Sequence, residues 1–416
     1  MNVVDARGCA VSGSTPAARV AFELAVERFL GWRTGADVAV AAALDEAPCF
    51  VMAHVLQAYL SLCSRDPQRV RSAQPVLARA AGLPANRRER LHIATVAAVL
   101  ADDYEAAKTL LGELLRHAPR DALALQVAHA FDYATGDSPG MKARLDAVLP
   151  AWSKGLPGYS AVLAMHAFAL EETGDYGRAE AAARTALALD HADARAHHVM
   201  AHVFEMTRRP QDGLRWLREH VAAWADDSVV ASHVWWHVAL YHLTQDRIDG
   251  ALALYDRRLA IGYGGEVADL IDATALLWRV RLLGGDGGTR WDDLAAAWAP
   301  RIDDAFCTFN DVHAMLSFVG AGQAAQARRL EDGLLHGQSL PTRHGLTTRE
   351  IGLPACRALM AYGEGNDRLA VTLLASLPPI AHRIGGSHAQ RDVLRLTMRH
   401  AVARSGRAAA ASTAAA

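Results

Sequence analysis

Histidine, carboxylate and tryptophan concentrate in two short stretches near the middle of the chain. These are His197-His198-Val199-Met200-Ala201-His202-Val203-Phe204-Glu205 and Ser232-His233-Val234-Trp235-Trp236-His237. On a helix His198, His202 and Glu205, at i, i+4 and i+7, share one face, and His233 and His237 repeat the i, i+4 spacing. Two imidazoles one turn apart offer the donors that zinc and related divalent cations take, and a carboxylate beside them completes an open site. Without a metal the same groups suit acid–base chemistry near neutral pH, with Glu205 accepting a proton and Trp235 or Trp236 stacking a planar molecule. The spacing is not that of the His-Glu-x-x-His zinc proteases, so no ready mechanism comes with it. Nineteen histidines in 416 residues give roughly one i, i+4 pair by chance. Placement in the fold therefore matters more than spacing.

The elements that must place these side chains are helices. One segment reads Leu163, Ala167, Leu170, then Gly174-Asp175-Tyr176, Ala179, Ala183, Ala186 and Asp190. It resembles the tetratricopeptide repeat, about 34 residues folded as two antiparallel helices. Small side chains at Ala179 and Ala186 let the two helices approach, and Gly174-Asp175 closes the turn. Drifted copies run over Ala101–Pro119, Arg208–His220, Gln245–Leu259, Gly320–Leu335 and Gly363–Pro378. Strand signals are scarce. The expected fold class is all-α, an α-α superhelix or solenoid of degenerate tetratricopeptide-like helix pairs. One repeat domain is expected over 17–404, with a flexible start at 1–16 and a disordered alanine-rich tail at 405–416. Loops are expected at Gly136–Gly140, Lys154–Gly158, Ile261–Gly265, Gly284–Thr289 and Gln338–Gly345.

With Ser160 as position 1, Ala194 opens the next copy, and His198, His202 and Glu205 fall at positions 5, 9 and 12 of its first helix. Aligning Ala251 with the small position places His233, Trp236 and His237 early in a later first helix, and Ala327 likewise places His313. First helices line the concave groove in tetratricopeptide solenoids, so the three segments are expected on one inner surface. His198, His202, Glu205 and His237 are the catalytic candidates. His233, Trp236, Asn310, Asp311, His313, Gln390, Arg391 and Asp392 are the ligand-binding candidates, and His198, His202, His233, His237 and His313 the candidate metal ligands. Single histidines such as His54, His92, His129 and His166 are expected as packed core residues. Trp216, Trp224, Trp278, Trp291 and Trp298 are expected as inter-helix packing, and Arg87-Arg88-Glu89-Arg90 as a solvated helix start.

Composition narrows the function classes. The formal net charge is −2, only Lys108, Lys142 and Lys154 are lysines, and no basic block is interleaved with aromatics, so nucleic acid is not an expected partner. The five cysteines are widely spaced with no CxxC, which argues against a disulfide framework or a cysteine zinc knuckle. No basic-then-apolar leader opens the sequence and no apolar run is long enough for a bilayer, so a cytoplasmic protein without a membrane partner is expected. Phosphate-loop, dinucleotide and nucleophile-elbow motifs are missing, so no nucleotide cofactor is expected. A divalent metal is the cofactor candidate. The partner is expected to be a small molecule or a protein or peptide, although the lysine-rich grooves of peptide clamps are not matched.

Several ordered strings are similar to the tetratricopeptide repeat protein 38 family. They are Arg87-Arg88-Glu89-Arg90-Leu91-His92, His198–Met206, Ser232–Tyr241, Ala251-Leu252-Ala253-Leu254-Tyr255-Asp256, Phe309-Asn310-Asp311-Val312-His313, Gly352-Leu353-Pro354-Ala355-Cys356 and Gly385–Val393. The family's pattern has Cys-His-Asn where this chain has Ser232-His233-Val234, and Asn where it has His388. The resemblance implies an α-helical repeat fold and supplies no reaction. The expected function is ligand or partner binding in the groove. The alternative is an enzyme using the histidine/carboxylate surface for acid–base or metal-assisted chemistry on a small organic substrate.

Overall fold

The computed structural model describes residues 3–64, 66–260 and 266–414, with side chains as far as 406. The expected loop at Ile261–Gly265 and the last two residues of the tail lie outside the described residues. The fold is all-α, a solenoid of helix pairs. Among the described residues there is no strand, only two isolated bridges, Val4–Ala10 and Arg33–Ser228.

The chain divides into two compact units, Met1–Tyr133 with Asp137–Val234, and Ala134–Gly136 with Trp235–Ala416. The helices that make up most of the first are α1 Pro16–Leu30, α2 Ala36–Glu46, α3 Val51–Leu62, α4 Pro67–Ala81, α5 Arg87–Leu100, α6 Tyr104–His117, α7 Ala122–Thr135, α8 Ser138–Val148, α9 Tyr159–Glu172, α10 Tyr176–Leu189, α11 Ala194–Met206, α12 Pro210–Glu219 and α13 Val221–Ala225. Helix α14, Ala231–Leu243, starts in the first unit and ends in the second. The second continues with α15 Ile248–Leu254, α16 Val267–Leu282, α17 Arg290–Trp298, α18 Thr308–Gly320, α19 Ala324–Gly337, α20 Arg343–Thr347, α21 Leu353–Gly363, α22 Asp367–Leu374 and α23 His388–Ala414, whose backbone helix extends into the tail. Tyr255–Leu259 and Thr348–Gly352 are single π-turns.

Among the described residues one turn recurs at the close of helix pairs. Asp102, Gly136, Gly174, Arg208, Asp246, Gly284, Gly322 and Gly365 all have left-handed φ between 56 and 83°. In each case the next N–H reaches back five residues to a helix carbonyl, as in Asp175 to Leu170 at 2.9 Å and Arg209 to Phe204 at 2.8 Å. This is the bond that ends a helix at a left-handed residue. It recurs where the residue type does not: Arg208 stands where Gly174 stood one period earlier and adopts the same conformation at a steric cost glycine avoids. Between such turns Ala179, Ala183 and Ala186 are fully buried where α10 packs on α9 and α11. Helices α9 and α11 also touch each other, so successive first helices lie side by side. The two are buried on nearly every side, which is why polar residues in them end up inside the protein.

The start of the chain is tied down within the first unit. The Asp5 carboxylate accepts from the N–H groups of Arg7 and Cys9, Ser12 donates its N–H to Glu89 at 2.7 Å, and Arg88 donates to the Ala10 carbonyl at 3.0 Å. Asn86 and Glu89 form a capping box at the start of α5. Arg88 also pairs with Asp121, which accepts from His92 Nε2 at 3.0 Å and caps α7 through Ala124. With its Nε2 proton engaged, His92 accepts the Tyr59 hydroxyl at Nδ1, 2.9 Å away. The expectation of a solvated helix start holds for Arg87 and Arg90, which are exposed, and is corrected for the other two: Glu89 is fully buried and the Arg88 side chain largely so, because the N-terminal hook and α7 supply their partners.

Candidate functional site

In the first unit, adjacent first helices bring the histidines of α11 and α14 together. Asp193 caps α11, its carboxylate accepting from Ala196 N–H at 3.0 Å, and fixes the helix so that His198 and His202 face the same way. The Nε2 atoms of these two lie 2.9 Å apart, and His233, in the first turn of α14, brings its own Nε2 to within 3.0 Å of His198 Nε2. His198, His202 and His233 offer one ligand atom each within 4.8 Å of one another, and His237 follows His233 by one turn of the same continuous helix. His198 and His202 are buried, while His233 is half-buried.

Aromatic rings hold the imidazoles in place. Phe168 of α9 stacks on His198 at 5.8 Å and meets His202 edge-on at 5.5 Å, and Trp32 lies 5.5 Å from His198. The carboxylates near His202 come from the end of α9. Glu171 Oε2 is 3.6 Å from His202 Nδ1, and Glu171, Glu172 and His202 offer ligand atoms within 4.8 Å of one another. His202 thus presents one ring nitrogen to the histidines and the other to buried carboxylates. A carboxylate on that side favours a proton on Nδ1 and leaves the Nε2 lone pair for a cation. Glu205, half-buried in the last turn of α11, belongs to neither group.

Other histidines of this unit have separate roles. His197 faces away, bonding the His191 carbonyl at 3.0 Å and accepting from Trp216 Nε1 at 3.1 Å. Burial pushes it down to about 4. His129 packs edge-on to Phe168, and burial, with Arg195 and Arg144 nearby, holds it well below the ordinary histidine value.

The candidates of the second unit sit in a distinct set of contacts there. Asp311 on α18 accepts from His344 Nε2 at 3.0 Å, and Thr348, in a π-turn, is 3.2 Å from the same nitrogen. Asn310 is buried, and His313 Nδ1 bonds the Phe309 carbonyl at 2.7 Å. Gln390 donates to Asp272 at 3.2 Å, Arg391 donates to the Gly386 carbonyl, and Asp392 pairs with Arg395 at the surface. Trp236 is fully buried under Arg279, 5.4 Å from its ring centre, so it packs within the core.

Glu171, Glu172 and Phe168 escaped the reading of the sequence, yet one signal was present. Glu171 lies one 34-residue period before Glu205, at position 12 of the preceding first helix. Trp32 gave no such signal, being separated from His198 by more than half the first unit. No protein-family model matches the chain.

Proposed function

We propose that the chain binds a divalent transition metal through His198, His202 and His233, and uses it for metal-assisted chemistry on a small organic substrate. The observation that carries this reading is the convergence of three Nε2 atoms at 2.9 and 3.0 Å. A neutral imidazole nitrogen carries either one proton or one lone pair, so His198 Nε2 serves only one of its two neighbours at a time. A cation takes all three lone pairs at once. Tetrahedral zinc with Zn–N bonds of about 2.0–2.1 Å sets its ligand nitrogens roughly 3.3 Å apart, a few tenths of an ångström more than the separations here. All-imidazole donors suit zinc, copper, nickel or iron. Three protein ligands leave a position for water, whose pKa such a metal lowers to about 7, and His237 is the candidate for a fourth ligand. Glu171 orients His202 from behind.

This reading makes the chain an enzyme of the alternative class rather than a partner-binding scaffold. Ligand or partner capture along a concave groove, with the tetratricopeptide repeat protein 38 family as the finer kinship and a cytoplasmic setting, has only the helix-pair packing in its support. The test is elemental analysis of protein purified without a polyhistidine tag, before and after chelator. Near-stoichiometric transition metal, with melting temperature falling when it is stripped, is expected. Metal well below stoichiometry, with zinc failing to raise the melting temperature of the stripped protein, rejects the proposal.

A further inference from the structure

Arg195 opens the helix that carries the histidine pair and is 1% exposed. At i, i+3 and i+7, Arg195, His198 and His202 form one stripe of α11. The guanidinium has only uncharged neighbours in bonding contact. Its Nη2 donates to Gln126 Oε1 at 2.6 Å and to the Leu30 carbonyl at 3.3 Å, and its face lies 4.0 Å from the Trp32 ring centre. Its Nε is buried without a hydrogen-bond partner. Asp193, the closest carboxylate along the helix, is committed through Oδ1 to capping Ala196 and forms no ion pair with it. Burial outweighs the pull of the Asp193 carboxylate, which acts on the guanidinium from beyond ion-pair range, and brings Arg195 down to about 10, so its charge is only partly compensated.

Trp32 adds an independent observation. It touches both the guanidinium and His198, and its backbone is left-handed, with φ 57°. That conformation is the helix-ending turn seen at the other pairs, with Arg33 donating its N–H to the Arg28 carbonyl at 2.8 Å. The segment leading into α14 then fastens this turn from outside. Val229 donates its N–H to the Trp32 carbonyl at 2.9 Å, Arg33 bridges to Ser228, and Asp227 pairs with Arg28 and Thr34. The half-buried indole therefore stands between the Arg195 guanidinium and His198.

We infer that the substrate of the histidine site bears a carboxylate, which Arg195 anchors beneath Trp32 while the rest of the molecule meets His198, His202 and His233. This deepens the reading above and rests on it for the chemistry, though not for the binding. A carboxylate fits better than a phosphate ester. One guanidinium with two of its five N–H donors taken by Gln126 and Leu30, and no lysine on the stripe, offers one planar fork, which suits a planar monoanion better than a tetrahedral dianion that needs donors from several sides.

The test is titration calorimetry on tag-free protein, in chelator-stripped and zinc-loaded forms, with sodium acetate, sodium benzoate and sodium phosphate against sodium chloride of equal ionic strength. Saturable heat with the carboxylates is expected in both forms, reduced at least about tenfold in Arg195→Met and less in Arg195→Lys. If Arg195→Met does not fold, the wild-type titration and Arg195→Lys decide. Carboxylate heats no larger than those of chloride, or unchanged in the Arg195 variants, overturn the inference. Binding of phosphate alone overturns the carboxylate assignment. Arg195-dependent carboxylate binding by a protein that takes no metal upholds this inference while the metal reading fails. Zinc binding without carboxylate binding does the reverse.

Discussion

Replacing His198 by alanine is the sharpest probe of the metal reading, because its Nε2 is the atom on which His202 and His233 both converge. Structural zinc sites contribute about 10–16 kcal/mol, so one ligand of three or four carries on the order of 3 kcal/mol, or roughly two orders of magnitude in Kd. In the wild type, zinc at about 100 times its Kd adds about 2.7 kcal/mol of stability, and each kcal/mol moves the melting temperature of a unit this size by about 2–4 °C. The expected zinc-dependent rise is therefore about 5–10 °C in the wild type and close to nothing in His198→Ala at the same zinc concentration. The variant also loses the stacking on Phe168 and the contact with Trp32. Its metal-free melting temperature must accordingly be measured first, so that lost packing is separated from lost coordination. Competition against a chromophoric chelator gives the Kd directly. A Kd within threefold of the wild type would show that the imidazoles are a packed cluster, and the reasoning would be refuted.

Acidification tests the other buried histidines. His129 lies well below its ordinary value and His197 at about 4, in both cases through burial. The unfolded chain binds their protons first, so stability falls as pH drops below about 6.5, by on the order of 1 kcal/mol per pH unit for each histidine, and for His197 the loss levels off near pH 4. A melting profile flat from pH 7 to 4.5 contradicts this. Burial alone would raise Asp121, but Arg88 and His92 hold it below the usual carboxylate range. Asp121→Asn leaves Arg88 only the Asp5 carboxylate, 3.7 Å away, and is expected to cost about 1.5–3 kcal/mol in urea unfolding, and a cost below about 0.5 kcal/mol would count against a true ion pair. Arg208→Gly relieves a left-handed arginine at an exposed turn and is expected to stabilise by about 0.5–1 kcal/mol; a fall in melting temperature would contradict the turn assignment.

How far the sequence disclosed the molecule depended on the range of the interaction involved. The pair α9–α10 and the start of α11 follow from alanines, a glycine turn and a 34-residue period, all local signals. That register also carried His198, His202 and His233 onto neighbouring first helices, where they meet. What escaped were the charged residues with distant partners. Arg88 and Glu89 read as surface because the hook that covers them begins near residue 3. Arg195 reads as an ordinary first-turn arginine, and only the fold sets Leu30 and Trp32 beside it. Asp311 gave no hint of His344, nor Gln390 of Asp272, because those contacts depend on loop paths that periodicity does not describe.

The clasp between Trp32–Thr34 and Asp227–Val229 alters how the first unit comes apart. In a linear repeat array each module leans only on its neighbours, so end modules fray singly and a truncated array keeps the rest. Here the first helical pair is fastened to the segment entering α14, almost two hundred positions later. Opening either end exposes Arg195 and releases the wall of the histidine site, so the repeats between them share one fate. During synthesis the site is complete only once His233 has emerged and reached back to a loop made near the start, which makes the early helices wait on the late one.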